Sequence, residues 1–306
     1  MKFYHLGLAA DWEYDSDFLQ IIEKKAKVSG LETLTIWPAN LEDVYAQLRD
    51  QKIGFQFILD RASLSSPEFN DLIFLAQKQG TIIFDPPEKV HRAADKATMH
   101  LEFISQGILT PYTIILPPFE QNASLENLGL DLSPVGHPFV IKPASFTGGG
   151  MGVIKDGSGP EDIQRARQEF PQDKYLIQEK IEPKILNGWR FWFRVFFSWS
   201  LIQATWWNDE THLFKELTRE EIINFSLQAL FDLTEKIQRI CELNFFSTEI
   251  VLDKNNRLVV VDYVNEICDM RLQSRHYDGV PDRVVENIAE SLIAFIIQAT
   301  AGGQLS

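Results

Sequence analysis

The chain has 306 residues, of which 45% are hydrophobic and 24% are charged, and this ordinary composition argues against a disordered or fibrous chain. Its 29 basic and 43 acidic residues give a formal net charge of −14. That charge argues against a general nucleic-acid-binding surface but permits a local basic pocket for phosphate.

The two cysteines, Cys241 and Cys268, are too few for a disulfide framework or a metal knuckle. We therefore expect reduced thiols and a cytoplasmic protein. The most apolar window, 191–207, is interrupted by Arg194 and by further polar residues, so we expect no membrane-spanning segment. Acidic residues soon after the short apolar start favour a first strand over a signal peptide.

The first third of the chain alternates short apolar strands with amphipathic helices. Strands are predicted at 3–10, 32–37, 55–59 and 81–84, and helices at 17–29, 41–51 and 67–79. This alternation predicts an α/β domain with a parallel sheet. Asp60 and Arg61 follow the third strand, at the sheet edge where parallel α/β sheets bind ligands; a solvated turn is the alternative.

The remainder of the chain predicts an α+β region with antiparallel strands. A helix at 90–106 precedes strands at 112–116, 139–142, 175–179, 191–197 and 201–207. Thr218 and Glu221 form a capping box at the start of a long helix. A hairpin of strands 248–252 and 258–263 follows, and a last helix at 282–300 is expected to pack on the final sheet.

A glycine-rich loop follows the strand that ends at Lys142. Glycines at 148, 149, 150 and 152 can expose backbone N–H groups to phosphate oxygens, and the lysine supplies a positive point charge. The spacing matches neither a Walker A loop nor a dinucleotide fingerprint, because the lysine precedes the glycines. The segment indicates phosphate binding; a flexible hairpin loop with a surface lysine is the alternative.

The predicted hairpin near the end of the chain carries a candidate magnesium site. It would place Glu249 near Asp262 on the adjacent strand, with Asn265 close by. Two carboxylates and an amide carbonyl are oxygen ligands that suit Mg²⁺ beside nucleotide phosphates. A solvated acidic pair at the strand ends is the alternative.

Three further features are weaker when taken alone. The strand 175–179 runs into a polar connection whose backbone could bind a purine. Arg190 and Arg194 would point to one face of a strand and could bind carboxylate or phosphate, or pair with acidic groups. Arg271 could reach the same phosphates or an acceptor carboxylate, and pairing with Asp269 is equally plausible.

Other kinds of site find little support in the sequence. The six histidines are scattered without metal-ligand spacing, which argues against zinc chemistry. There is no GxSxG sequence, so a serine hydrolase elbow is absent. Four tryptophans in the strand region are expected to belong to the core rather than to a base-stacking surface: Trp189, Trp192, Trp206 and Trp207.

The order of these segments resembles the ATP-grasp superfamily, and it is nearest to the glutamate ligase and glutathione synthetase branch. The resemblance begins at residues 95–111 and passes through the Lys142 strand with its glycine loop and through residues 178–181 and 194–197. It ends at Glu249 and residues 262–265, so it covers about residues 88–300. The preceding residues look like the α/β domain that often precedes an ATP-grasp core.

The resemblance implies a fold and an activity. It implies an α/β N-terminal domain (1–88) followed by an α+β ATP-grasp core of two subdomains, 89–180 and 181–306. It implies an ATP- and Mg²⁺-dependent ligase that joins a carboxylate to an amine or thiol through an acyl phosphate. Partners would be small-molecule or peptide carboxylates and amines, with no nucleic acid, no membrane and a possible homodimer. A small-molecule kinase and a non-catalytic nucleotide-binding protein remain open.

The resemblance also implies roles for individual residues. Arg194 matches the arginine that opens the second sheet, and we take it together with Arg271 as the catalytic candidates. The metal ligands would be Glu249, Asp262 and Asn265. Lysines and loop glycines would bind the phosphates, and a hinge with a ribose partner would bind the nucleoside. These nucleotide-binding residues are Lys96, Lys142, Gly148, Gly149, Gly150, Gln178, Glu179, Lys180, Ile181 and Glu182.

The sequence departs from the family pattern in two places. The usual Glu-x-Asn is replaced by Asp262 and Asn265, three positions apart, so a bulge or the strand end must realign them, and Glu266 is an alternative ligand. The strand 204–207 also lacks the basic residue that many relatives carry, which leaves open how an acyl phosphate would be stabilised.

Overall fold

The computed structural model describes residues 1–145, 150–186 and 188–301. Within these residues the strands form four sheets: one parallel sheet at the N-terminus, two larger antiparallel sheets and a two-stranded hairpin. The prediction of a parallel α/β region followed by antiparallel sheets is therefore confirmed.

The parallel sheet has the order β2-β1-β3-β4. Its strands are β1 (Lys2–Ala10), β2 (Thr33–Ile36), β3 (Ile53–Arg61) and β4 (Ile82–Phe84), and its helices are α1 (Ser16–Val28), α2 (Leu41–Arg49) and α3 (Asn70–Lys78). Successive residues of β1 alternate between two hydrophobic cores, since Leu8 and Ala10 pack in one and Ala9 packs in the other. A parallel sheet covered on both faces explains the continuous apolar runs of its strands.

The single helix predicted at 90–106 is wrong, because two helices occupy that region. They are α4 (Pro87–Ala94) and α5 (Lys96–Ser105). Asp95 lies between them in an extended conformation, and its side chain accepts hydrogen bonds from the backbone N–H groups of Ala97 and Thr98. Such an N-cap satisfies donors that would otherwise lack partners at the helix start. The break places Lys96 on the first turn of α5.

The central sheet is antiparallel and has the order β5-β8-β6-β7. Its strands are β5 (Thr113–Leu116), β6 (Phe139–Pro143), β7 (Ile154–Gly157) and β8 (Tyr175–Glu179), and helix α6 (Pro160–Glu169) connects the last two. Phe139, Ile141 and Tyr175 are fully buried in a core with Ile163 of α6. This core covers one face of the sheet and leaves Lys142 and Gln178 to the other side.

A short hairpin, β9 (Ile185–Leu186) and β10 (Trp189–Arg190), leads into the C-terminal sheet. That sheet has the order β13-β12-β11-β14-β15. Its strands are β11 (Trp192–Ser198), β12 (Leu201–Trp207), β13 (Phe214–Glu216), β14 (Phe245–Leu252) and β15 (Leu258–Asn265), and helices α7 (Arg219–Asn224), α8 (Ala229–Cys241) and α9 (Asp282–Ala301) follow β13 and β15. The predicted hairpin of β14 and β15 is confirmed.

The long helix predicted from Thr218 is also two helices. The capping box of Thr218 and Glu221 is present at the start of α7. Ser226, with a φ of 55°, lies between α7 and α8, and a left-handed residue ends an α-helix. The capping signal was therefore correct, whereas the predicted length was wrong.

Helix α9 is long and apolar enough to cross a membrane by length and composition alone. Its inner face, however, includes Val285, Ile288 and Leu292, which are fully buried. The helix contacts β11 and β12, as expected, and it also packs along α1 of the N-terminal region. These contacts are those of a core helix that ties the end of the described chain to its beginning.

Candidate functional site

A cleft of about 830 Å³ is lined by residues from both antiparallel sheets, and this volume falls in the range of small-molecule sites. The structure brings to this cleft the predicted site residues that it describes: Lys96, Lys142, Gly150, Gln178, Glu179, Lys180, Ile181, Glu182, Arg194, Glu249, Asp262, Asn265 and Arg271. Gly148 and Gly149 lie outside the described residues. The individual roles of all these residues stay predictions.

Lys142 is a buried cation at the floor of the cleft. Its Nζ donates a hydrogen bond to the carbonyl oxygen of Val261 at 2.9 Å and lies 3.8 Å from Oδ1 of Asp262. Burial lowers the pKa of Lys142 to about 8, and nearby Lys96 adds to this effect while Asp262 opposes it. A desolvated cation beside a second lysine favours the binding of an anion such as phosphate.

Three charged side chains form a row across the C-terminal sheet. Arg194 on β11 pairs directly with Glu249 on β14, and Glu249 pairs with Asp262 on β15. Directly opposed residues point to the same face of a sheet. Arg194 forms an ion pair with Glu249, and together with the two lysines it holds the pKa of Asp262 below its ordinary value despite burial.

The hairpin of β14 and β15 contains a bulge, which is one of the two realignments that the sequence left open. Ser247 pairs with Asn265 and Glu249 with Asp262, so two steps along β14 oppose three along β15. The Asn265 Nδ2 group donates to Oδ2 of Asp262 at 3.1 Å. The bulge therefore brings the amide and the carboxylate together although they are three positions apart.

Glu266 directly follows the last residue of β15. It lines a second, small cavity with Asp60 and Arg61, and it is not among the residues that line the large cleft. Burial raises the pKa of Glu266 to about 7. Of the two alternatives, the geometry favours Asp262 as the candidate ligand. Among the described residues there is no cluster of three or more His, Cys, Asp or Glu side chains suited to a metal. The predicted metal site therefore needs the amide oxygen of Asn265 as its third ligand.

The residues predicted as an adenine hinge form one wall of the cleft at the end of β8. The buried Gln178 side chain points away, since its Nε2 donates to Thr113 Oγ1 at 2.9 Å and to Tyr263 Oη at 2.7 Å. Lys180 pairs with Asp156, and the exposed Glu182 pairs with Lys254 at 2.9 Å. Both of these ion pairs are exposed to solvent, and the roles of this wall toward adenine and ribose stay predictions.

Arg271 lines the cleft but is held by two carboxylates. Its Nη2 lies 2.7 Å from Asp269 and 3.1 Å from Asp278, and hydrogen bonding to Asp269 raises the pKa of the guanidinium. The pairing with Asp269 that the sequence left open is thus present, with a second acid added. Arg190 is similarly bound to Asp209 at 2.9 Å.

Arg61 is buried in an ion pair, so a solvated turn is the wrong interpretation for it, whereas ligand binding by Asp60 and Arg61 stays a prediction. Arg61 is 2% exposed, and its Nη2 lies 2.6 Å from Asp15 and 2.8 Å from the carbonyl oxygen of Cys268. Asp60 accepts hydrogen bonds from the backbone N–H groups of the following residues, including Ser63 at 3.0 Å. The arginine at the end of β3 therefore joins the N-terminal parallel sheet to the chain beyond β15.

Two tryptophans expected in the core instead line the cleft. Trp192 Nε1 donates to Oε2 of Glu249 at 2.9 Å, and the Trp207 ring lies 4.8 Å from the Arg194 guanidinium. The period of two along β11 places Trp192 on the same face as Arg194, so strand alternation could have identified it. Trp206 is buried as expected, whereas Trp189 is exposed and its assignment to the core is wrong.

A buried histidine behind the cleft should make stability depend on pH. Burial lowers the pKa of His100 to about 4 from the ordinary 6.5, and Lys142 adds to the effect. The folded state therefore disfavours protonation of His100. The stability that the neutral ring contributes is present above about pH 6.5 and is lost as the pH falls towards 4. We expect wild type to lose about 3 kcal/mol more than His100→Gln between pH 7 and 4, measured by urea unfolding.

The exposed His91 supplies the control for this experiment. His91→Gln should retain the pH dependence of the wild-type protein, because this side chain is solvated in the folded state. Equal acid sensitivity in wild type and His100→Gln would contradict the assignment of this pH dependence to His100.

Comparisons with known proteins identify the fold. No protein-family model matches the sequence, and no curated protein sequence matches it. Among solved structures, a RimK domain ATP-grasp protein from Sphaerobacter thermophilus has a TM-score of 0.60 at 18% identity, with 94% of this chain and 98% of that chain covered. D-alanine–D-alanine ligase from Bacillus anthracis, complexed with ATP, has a TM-score of 0.63 at 13% identity, with 98% and 100% covered.

A third structure extends the comparison to a protein with a bound precursor. The ATP-grasp ligase PsnB, complexed with a minimal precursor, Mg and ADP, has a TM-score of 0.63 at 12% identity, with 95% of this chain and 98% of that chain covered. At these identities the likeness is one of fold. This chain has the ATP-grasp fold over nearly its whole length.

Proposed function

We propose that this protein is an ATP- and Mg²⁺-dependent ligase that joins a carboxylate to an amine, or to a thiol, through an acyl phosphate. One observation carries the proposal: two lysines, a strand-end wall and the Arg194–Glu249–Asp262 row converge on one cleft within an ATP-grasp fold. These groups come from six separate elements of the fold, so their convergence is not a consequence of local sequence.

The described residues fit a magnesium nucleotide. Lys96 and Lys142 would hold phosphate oxygens, and the backbone from Glu179 to Glu182 would receive the base. Asp262 and Asn265 supply oxygen ligands for Mg²⁺. Glu249 accepts one hydrogen bond on each carboxylate oxygen, from Arg194 and Trp192, and each oxygen retains a further lone pair for a metal.

The bound nucleotide would supply the phosphoryl group that activates a carboxylate, while Mg²⁺ offsets the developing charge. The two lysines add fixed positive charge at the phosphate end of the cleft. Arg194 stands in strand β11 above Trp207, and it provides the cation that strand β12 lacks at residues 204–207. We therefore assign to Arg194 the stabilisation of the acyl phosphate.

We infer that the acceptors are small-molecule or peptide amines. D-alanine–D-alanine ligase and PsnB with its precursor support this class, since both share the fold. We also propose the three-part organisation 1–88, 89–180 and 181–306, with the nucleotide between the last two parts. The two free, buried cysteines support a cytoplasmic protein, and a homodimer and the glutamate ligase branch remain proposals.

A thermal-shift titration tests nucleotide binding first. Ligand that binds only the folded state raises the melting temperature by mass action, so ADP should raise it and Mg²⁺ should enlarge the shift. At a concentration of 100 times Kd the stabilisation would be about 2.7 kcal/mol. No shift at millimolar ADP with Mg²⁺ would overturn the ligase proposal.

Product analysis then separates the possible reactions. A ligase releases ADP and free phosphate only when carboxylate and acceptor are both present, and it forms an amide with an amine or a thioester with a thiol. A kinase instead leaves a stable phosphoester without free phosphate. Nucleotide binding without turnover across amino acids, thiols and short peptides would identify a non-catalytic protein.

A further inference from the structure

Behind the cleft, a chain of buried polar side chains joins three elements of the fold. Gln178 on β8 donates through Nε2 to Tyr263 Oη on β15 at 2.7 Å, and Tyr263 Oη lies 2.8 Å from His100 Nδ1 on α5. The exposed fractions are 2% for Gln178, 0% for Tyr263 and 5% for His100. The central sheet and the C-terminal sheet are thus linked through one hydroxyl group.

The hydroxyl has two hydrogen-bond partners. Tyr263 Oη accepts from Gln178 Nε2 and shares a second hydrogen bond with His100 Nδ1, whose direction is set by the tautomer of the ring. Burial keeps His100 neutral at pH 7, since it lowers the pKa to about 4. Loss of the hydroxyl would leave the buried Gln178 Nε2 and the buried His100 Nδ1 without this partner.

Tyr263 occupies a decisive place on β15. It follows Asp262 directly and lies two residues before Asn265, within the bulge that brings these two side chains together. Its side chain points to the opposite face from Asp262, where its ring lies 5.2 Å from Lys142 Nζ. The residue itself is not among those that line the cleft.

We propose that Tyr263 is a positioning residue, whose hydroxyl fixes the separation of β8 and β15 and thereby aligns Lys142, Asp262 and Asn265 toward a bound magnesium nucleotide. The inference rests on the proposed function. The geometry supports this role. Tyr263 lies in the bulge of β15, its hydroxyl is hydrogen bonded to Gln178 on β8, and its ring lies beside Lys142 Nζ. A small shift of β15 would move the candidate ligands relative to the phosphate-binding lysines.

Tyr263→Phe tests the role, and Tyr175→Phe is a matched control. Both tyrosines are fully buried, and each loses a hydroxyl that is hydrogen bonded, Tyr175 to the carbonyl oxygen of Ala166. The Tyr175 bond lies in the core on the far face of the central sheet. Kd for ADP is measured by calorimetry at pH 7.5, with and without Mg²⁺, alongside thermal unfolding without nucleotide.

We expect both variants to lose stability and only Tyr263→Phe to raise Kd for Mg·ADP, by about tenfold. The effect should be smaller without Mg²⁺, because the ligand pair on β15 is then not engaged. His100→Phe removes the second partner of the hydroxyl and should change Kd in the same direction. If substrates are in hand, KM for ATP should rise more than kcat falls.

The outcomes separate this inference from the proposed function. Wild-type protein that binds no Mg·ADP would overturn both. Wild-type binding with equal Kd values in Tyr263→Phe and Tyr175→Phe would overturn the positioning role alone. Loss of the folded state in Tyr263→Phe together with unchanged binding in His100→Phe would assign the network to stability and also overturn it.

Discussion

Replacing Lys142 with methionine should weaken Mg·ADP binding by about 10- to 100-fold, because a charge-assisted contact to phosphate is lost. The methionine keeps an unbranched side chain over the Tyr263 ring, so the packing is largely retained. Stability should not fall by a comparable amount. Burial already lowers the pKa of Lys142 to about 8, which means that the folded state pays to keep this cation charged at pH 7.

Lys215→Met is the control for this experiment. Lys215 pairs with Glu221 at 3.0 Å and its side chain is 48% exposed, and it does not line the cleft. Its replacement should leave Kd for Mg·ADP unchanged. Equal Kd values for wild type and Lys142→Met, measured by calorimetry at pH 7.0, would remove Lys142 from the nucleotide site.

The alternation of strands and helices in the sequence predicts the parallel sheet of the N-terminal region. Its parallel sheet depends on apolar runs that are covered on both faces, and such runs are visible in the sequence. The helix breaks at Asp95 and Ser226 were missed for a physical reason. Asp95 caps α5 through the N–H groups of Ala97 and Thr98, and it also pairs with Lys174, 79 residues away, a contact that local sequence does not reveal.

The sequence predicts which segments of the chain line the cleft. It does not predict which side chains pair with one another there. Strand ends and a hairpin brought Glu249 and Asp262 into register, as local pattern suggested. The partners of the arginines depend on tertiary structure instead. Arg194 meets Glu249 across 55 residues, and Arg271 meets Asp278 on a loop that no periodicity marks. Sequence spacing cannot assign a partner to an arginine when several acids are within reach of the chain.

The partner of Arg61 could not be assigned from sequence spacing either, and this ion pair is expected to affect the free energy of unfolding strongly. It lies at the end of β3, where a parallel sheet would expose a ligand-binding group. In the structure it forms hydrogen bonds to Asp15 through Nε at 2.8 Å and Nη2 at 2.6 Å, and both side chains are at most 2% exposed. Nothing in the local pattern distinguishes this buried pair from a solvated turn.

Arg61→Met should therefore lower the free energy of unfolding by about 3–5 kcal/mol, because it leaves the buried carboxylate of Asp15 without its partner. The Cys268 carbonyl oxygen also loses a donor, which costs about 1 kcal/mol. The double variant Asp15→Leu/Arg61→Met removes both charges and should recover most of the loss, since replacing a buried pair by apolar residues is often neutral. Urea unfolding of the wild type, the two single variants and the double variant measures the cycle.

The exposed pair of Arg239 and Glu235 provides the comparison. Their side chains are 73% and 56% exposed, so Arg239→Met should change the free energy of unfolding by less than about 0.5 kcal/mol. A similarly small effect of Arg61→Met would show that water or another group replaces the arginine beside Asp15. A double variant as unstable as Arg61→Met would instead assign the loss to packing between β3 and the segment at Cys268, and the buried charge would not be its cause.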